Sequence, residues 1–100
     1  MRYYDPDGRE ITKAEWSVLY HDRRYGALVR SRVAGYDITT SWVGVAADFE
    51  TRPALYLTWW SWSGKARDDR PSGCRWTRTK EAAIKEHDRR VEVLAEVMAR

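Results

Sequence analysis

His21, His87, Cys74 and the adjacent carboxylates Asp68-Asp69 are the side chains of this 100-residue chain best suited to covalent, acid–base or metal chemistry. A nucleophile needs a base placed against it, and a metal needs several such groups converging. The chain carries no HExxH, no GxSxG and no phosphate-cradling glycine loop. A single cysteine forms neither an internal disulfide nor a cysteine-built metal site, and it suits a reducing compartment. Asp68-Asp69 is flanked by Arg67 and Arg70 in a breaker-rich loop, so it reads as a solvated charge cluster rather than a rigid catalytic pair. Asp5-x-Asp7-Gly8 opens like a calcium loop, but the later acidic ligands are missing. His87 falls in register with apolar residues of a predicted helix, so its ring is expected to pack against a sheet without a metal. The expectation is a protein that is not an enzyme, with no catalytic residue, metal or cofactor.

Binding chemistry is better represented. Six Trp and six Tyr are many for this length, and aromatics are over-used both in small cores and at recognition surfaces. The net charge is +3, a mild basicity, with Lys13, Lys65, Lys80 and Lys85 the only lysines among many arginines. Arg30, Arg32, Arg75 and Arg78 lie on or beside predicted strands that also carry Trp62 and Trp76. Basic groups interleaved with aromatics suit single-stranded nucleic acid, although no RRM-type or KH-type motif accompanies them. The same arginines could equally stack on Trp and pair with acids at a sheet edge.

The elements that position these residues follow from pattern. Hydrophobic content of 43% and charged content of 33% describe one globular domain over residues 1–100. No apolar stretch approaches membrane-spanning length, and the N-terminus lacks a signal-peptide core, so a cytoplasmic location without membrane contact is expected. Tyr3 to Ile11 predicts a hairpin turning at Pro6-Asp7-Gly8. Thr12 and Glu15 form a capping box, with Ile11 and Trp16 as its staple, and a helix runs from Lys13 to about Arg23 or Arg24. Two strands follow, Ala27 to Val33 and Tyr36 to Val45, turning at Ala34-Gly35, with Gly44 a bulge or a close backbone approach. Phe49, in the next connection, is expected to tuck back.

Residues 54–62 form the central strand. Leu55, Leu57, Trp59 and Ser61 share one face; Ala54, Tyr56, Thr58, Trp60 and Trp62 share the other. Residues 63–73 read as a mobile polar loop, and Cys74 to Thr77 as a last strand. Thr79 caps a helix to about Ala99, with Ile84, His87, Val91, Leu94 and Met98 as its buried stripe and Glu86 among its wet residues. The fold class is α+β: a small antiparallel sheet of three to four strands, an N-terminal hairpin and two helices on one face.

Tyr4-Asp5-x-Asp7-Gly8-x-x-Ile11-Thr12-x-x-Glu15-Trp16, then Ile38 to Val45 with Phe49, then Leu55-Tyr56-x-Thr58, and last Arg75-Trp76 with Thr79-x-Glu81-x-Ala83-Ile84-x-x-His87 follow one another along the chain. In order and spacing this series resembles a family of small uncharacterised proteins from actinobacteriophages and actinobacterial prophages. The likeness spans most of the chain, and its motifs are structural. Family members commonly carry a glutamate immediately before the central threonine; this chain has Leu57 there, so no role of that carboxylate transfers. The resemblance implies a phage accessory product acting in the cytoplasm of its host.

Two helices are too few to cover both faces of the central strand. The uncovered face is therefore expected to bind a host protein or a second copy, with nucleic acid as the alternative. Thr58, the polar member of its face, selects Tyr56, Trp60 and Trp62 as the outer set, with Trp76 beside them; Arg30, Arg32 and Arg75 complete the candidate binding residues.

Overall fold

The computed structural model describes residues 1–62 and 72–98, the last two by backbone alone. The Asp68-Asp69 cluster and most of the expected loop lie outside the described residues.

The chain opens with strands β1 (Arg2–Tyr4) and β2 (Glu10–Ile11), paired antiparallel through Tyr3↔Ile11 and Tyr4↔Glu10. The Asp5 carboxylate shapes the turn by accepting from the backbone amides of Asp7 at 3.0 Å and Arg9 at 2.8 Å. Helix α1 (Lys13–Tyr20) begins at a complete capping box: Thr12 Oγ1 accepts from the Glu15 amide at 3.1 Å, and the Thr12 amide donates to Glu15 Oε1 at 3.2 Å. The helix stops earlier than its apolar pattern predicts. Asp22 accepts from the Arg24 amide and so caps a separate helical turn, α2 (Arg23–Gly26). A short polar side chain competing for backbone donors broke the longer helix. Hydrogen bonds from Arg24 hold the half-buried Asp22 carboxyl down at about 2.

The main sheet joins β3 (Val29–Val33), β4 (Tyr36–Trp42), β6 (Tyr56–Trp62) and β7 (Gly73–Thr77) in that order, antiparallel throughout. Ala34 and Gly35 both take positive φ, 51° and 88°, the geometry of a tight primed hairpin turn. The second expected strand is shorter than its sequence pattern. After Trp42 the chain passes Gly44, with φ 69°, and β5 (Val45–Ala46) leaves the main sheet to pair with β1. A second sheet results, ordered β2-β1-β5. A Cβ on Gly44 would lie 2.4 Å from the Trp42 ring and 2.7 Å from the Tyr4 carbonyl oxygen, so only glycine fits the crossing.

Helix α3 (Lys80–Met98) starts where Thr79 Oγ1 accepts from the Ala82 amide at 3.1 Å, and it packs across all four strands of the main sheet. Its neighbours define the core. Tyr4, Trp42, Ala46, Leu55, Tyr56 and Ala83 form one buried cluster, with Trp16, Leu19 and Tyr25 against it; Tyr36, Ile38 and Leu94 form another, with Trp60, Trp62 and Val91 against it. The two helices do not share one layer. α1 packs on β1 and α2, and Trp16 donates from its indole to the Val43 carbonyl at 2.9 Å. The buried stripe of α3 keeps His87, Val91 and Leu94 as expected, but in its first turn Ala83 is sealed and Ile84 is exposed. Glu86, expected wet, is buried and pairs with Arg90 at 3.1 Å and Arg89 at 3.4 Å. Phe49, expected to tuck back, is 85% exposed.

Two substitutions test this frame. Thr12→Ala should lower stability by about 1 kcal/mol through loss of the cap, read as a lower melting temperature. Gly44→Ala should cost about 1–3 kcal/mol or more, because it adds backbone strain to a clash with Trp42. A Gly44→Ala protein that melts with the parent would refute the crossing geometry.

Candidate binding face

The four-stranded sheet has two faces, and residues directly opposite one another on paired strands share a face. On the α3 side, β6 places Tyr56, Thr58, Trp60 and Trp62 opposite Trp42, Thr40, Ile38 and Tyr36 of β4. Tyr56 is 1% exposed and Thr58 is fully buried. The expected outer set is thereby reversed: Tyr56, Trp60 and Trp62 lie on the covered face. Each has a partner there. The Tyr56 hydroxyl donates to the Pro6 carbonyl, and burial, with Asp7 and Glu81 adding to it, pushes its pKa up to about 12. The Arg90 guanidinium stacks 3.8 Å above the Trp60 ring, and Trp62 meets Tyr36 edge-on at 5.4 Å.

Thr58 misled the face assignment because its hydroxyl is satisfied inside the protein. Thr58 Oγ1 lies 2.7 Å from Thr40 Oγ1, which lies 2.9 Å from His87 Nδ1; His87 Nε2 lies 2.8 Å from Ser31 Oγ. His87 is 1% exposed, packed against the sheet as expected. Both ring nitrogens are occupied by hydroxyls, which can each donate or accept, so the neutral ring is accommodated in either tautomer. Burial lowers the His87 pKa, with the Asp88 carboxylate pulling the other way. Ser31 and His87 are within hydrogen-bonding distance, but the imidazole is closed off from solvent and its second nitrogen faces a threonine rather than a carboxylate. Among the described residues no group of three or more His, Cys, Asp or Glu could hold a metal ion.

The open face carries Leu57, Trp59 and Ser61 of β6, Asp37, Thr39 and Ser41 of β4, Arg30 and Arg32 of β3, and Cys74 and Trp76 of β7. Trp76 lies opposite Leu57 and is 48% exposed; Trp59 lies opposite Cys74 and is 37% exposed. Leu57 is half-buried between them. Of the expected binding residues, Trp76, Arg30 and Arg32 lie on this face, Trp76 at one edge of the sheet and the arginines at the other. Arg75 does not: it lies opposite Thr58 on the α3 side, exposed near the sheet edge. Trp59 is the site residue that the outer-set choice left out, and its alternation with Trp60 was the only signal in the sequence.

Helices α1 and α2 border one end of the open face. There Tyr20, Gly26, Ser41, Trp42, Val43, Leu57 and Trp59 line a concavity of about 380 Å³. Arg23, Gly26, Ala27 and Arg30 line a second of about 510 Å³, and Arg30, Arg32, Asp37 and Thr39 contribute to a third of about 500 Å³. Arg32 pairs with Asp37 at 3.6 Å, an exposed contact of little energetic weight. Arg23 and Arg30 make no ion pair or side-chain hydrogen bond among the described residues. No described helix is long and apolar enough to cross a membrane.

Trp60→Ser should destabilise the fold by about 2 kcal/mol or more, since it removes a packed aromatic and leaves Arg90 without its ring. Trp59→Ser should leave the melt nearly unchanged. The opposite ranking would return the face assignment to the one read from the sequence. Stability should also depend on His87. Burial disfavours the imidazolium, so the unfolded chain binds this proton more readily; the contribution is complete above the ordinary value of 6.5 and is lost as pH falls below it. His87→Gln should flatten that acid limb, and parallel pH profiles for the two proteins would show that His87 does not set it.

No family model, no curated protein and no solved structure matches this chain.

Proposed function

We propose that this chain is a non-enzymatic binding module that docks a macromolecular partner on the open face of its main sheet. The carrying observation is that Trp59 and Trp76, on adjacent strands, remain exposed around the half-buried Leu57 while α3 covers the opposite face. Aromatic side chains held rigidly by a sheet contribute large contact area at small entropic cost, which is what a binding hot spot requires. Chemistry is a weaker reading, because the one buried histidine serves a hydroxyl chain that ties helix to sheet.

The resemblance to actinobacteriophage proteins supports a phage accessory role in the host cytoplasm. A host protein or a second copy is the partner that the apolar centre of the face suits. A second reading, nucleic acid, is favoured by Arg23 and Arg30, which lie at the border of the same face and make no ion pair among the described residues. The face reading is tested by the double variant Trp59→Ser/Trp76→Ser. It should fold as the parent does, by circular dichroism and thermal melt, and should lose any concentration-dependent self-association seen by sedimentation. A variant that unfolds would make these residues core and remove the face as a docking site.

A further inference from the structure

Three concavities run in series along the border of the open face. The first has an aromatic and apolar lining with Tyr20, Leu57 and Trp59; the second is lined by Arg23 and Arg30; the third includes Arg30 and Arg32. Gly26 is common to the first two and Arg30 to the last two, so they adjoin. Tyr20 is 50% exposed and Trp59 is 37% exposed, so both offer ring surface to a ligand. Asp37 is the only acid among the lining residues, and it lies at the far end, on Arg32. Arg30 and Arg32 are two positions apart on β3, so they recur at about 6.6 Å along one side of the sheet.

From this we infer that the border of the open face is a binding site for single-stranded nucleic acid. A base stacks on Trp59 in the Tyr20-lined concavity, its phosphate lies between Arg23 and Arg30, and the backbone continues along β3 toward Arg32. This rests on the nucleic-acid reading of the open face. Charge complementarity carries the choice of occupant. Two guanidinium groups that make no ion pair among the described residues suit a phosphodiester, and a neighbouring aromatic floor suits a base rather than a protein side chain of one particular shape. A single strand is required because stacking on Trp59 needs the flat face of a base, which a duplex hides between its neighbours. The contacts read no base edge, so recognition is of strand and charge rather than of sequence. The ribose 2′-hydroxyl faces no designated partner, so DNA and RNA strands should both bind.

The test uses the full chain with a short fluorescein-labelled oligothymidylate, the corresponding oligouridylate, and a mixed-sequence duplex as competitor. Anisotropy should report binding to both single strands in preference to the duplex, weakening as salt rises. Binding should quench part of the tryptophan emission. Arg23→Ala/Arg30→Ala, both at exposed positions, should weaken binding and reduce the slope of log affinity against log salt by about 0.7, the value for one lost phosphate on a single strand. Trp59→Ser should weaken binding at least about fivefold, as the loss of one stacked base does. Absence of single-strand binding at low salt, preference for the duplex, or affinity unmoved by Arg23→Ala/Arg30→Ala would each overturn the inference. If no strand binds and Trp59→Ser/Trp76→Ser still abolishes self-association, the occupant is a second copy; the face reading then stands and the nucleic-acid site falls. If no strand binds and sedimentation of the parent shows no self-association either, both lose their support.

Discussion

A hydroxyl on a central strand can be buried only if another polar group meets it; Thr58 is met by Thr40, which is met in turn by His87. The chain Thr58–Thr40–His87–Ser31 crosses from β6 through β4 to α3 and back to the edge strand β3. Each link contributes about 1 kcal/mol net, but removing one member strands the others in the core, which costs more. Apolar packing alone would tolerate α3 on either face of a strand that is aromatic on both. The hydroxyl chain ties α3 to one face, where Ser31 and Thr40 meet both ring nitrogens of His87.

With α3 fixed in this way, the aromatics divide. Trp60 lies under the Arg90 guanidinium and Trp62 against Tyr36, while Trp59, one residue before Trp60, points to the other side. Glu86 is drawn into the same arrangement by Arg90, which explains why an acidic residue is buried on a helix otherwise lined with Ala83, His87 and Leu94. The surplus of tryptophan therefore serves two purposes: part of it fills the thin layer beneath one helix, and part stays on the surface.

The second sheet has a different origin. Trp42 fills the corner where β4 ends, and Gly44 passes directly over its ring to bring β5 beside β1. The N-terminal hairpin is thereby attached to the main domain, with Tyr4 donating its amide to the Gly44 carbonyl at 2.9 Å and the Tyr56 hydroxyl reaching the Pro6 carbonyl. Helix α1 follows the hairpin rather than joining α3, which leaves the open face of the main sheet bordered at one end and otherwise free of described elements. The concavities along that border exist because the short turn α2, made by the Asp22 cap, lies against the end of β4.

Local features were legible in the sequence. The capping box at Thr12 and Glu15, the primed turn at Ala34-Gly35, the burial of His87 and the antiparallel α+β class all depend on contacts a few residues apart or on strict periodicity, and such signals survive in one dimension. The expected outer set Tyr56, Trp60 and Trp62 did not survive, because period-2 alternation separates two faces without saying which is inside. Thr58 was read as a mark of the wet face, when its partner Thr40 lies 18 residues away and becomes visible only once β4 and β6 are in register. The same holds for the concavity of Arg23 and Arg30 adjoining the one lined by Trp59, and for Glu86 and Phe49, which exchanged the burial their residue types suggested. The sequence by itself determined the elements and the class of the fold; tertiary structure alone decided which aromatic face is covered, because that choice depends on long-range pairing of polar groups that hydropathy counts the same on either side.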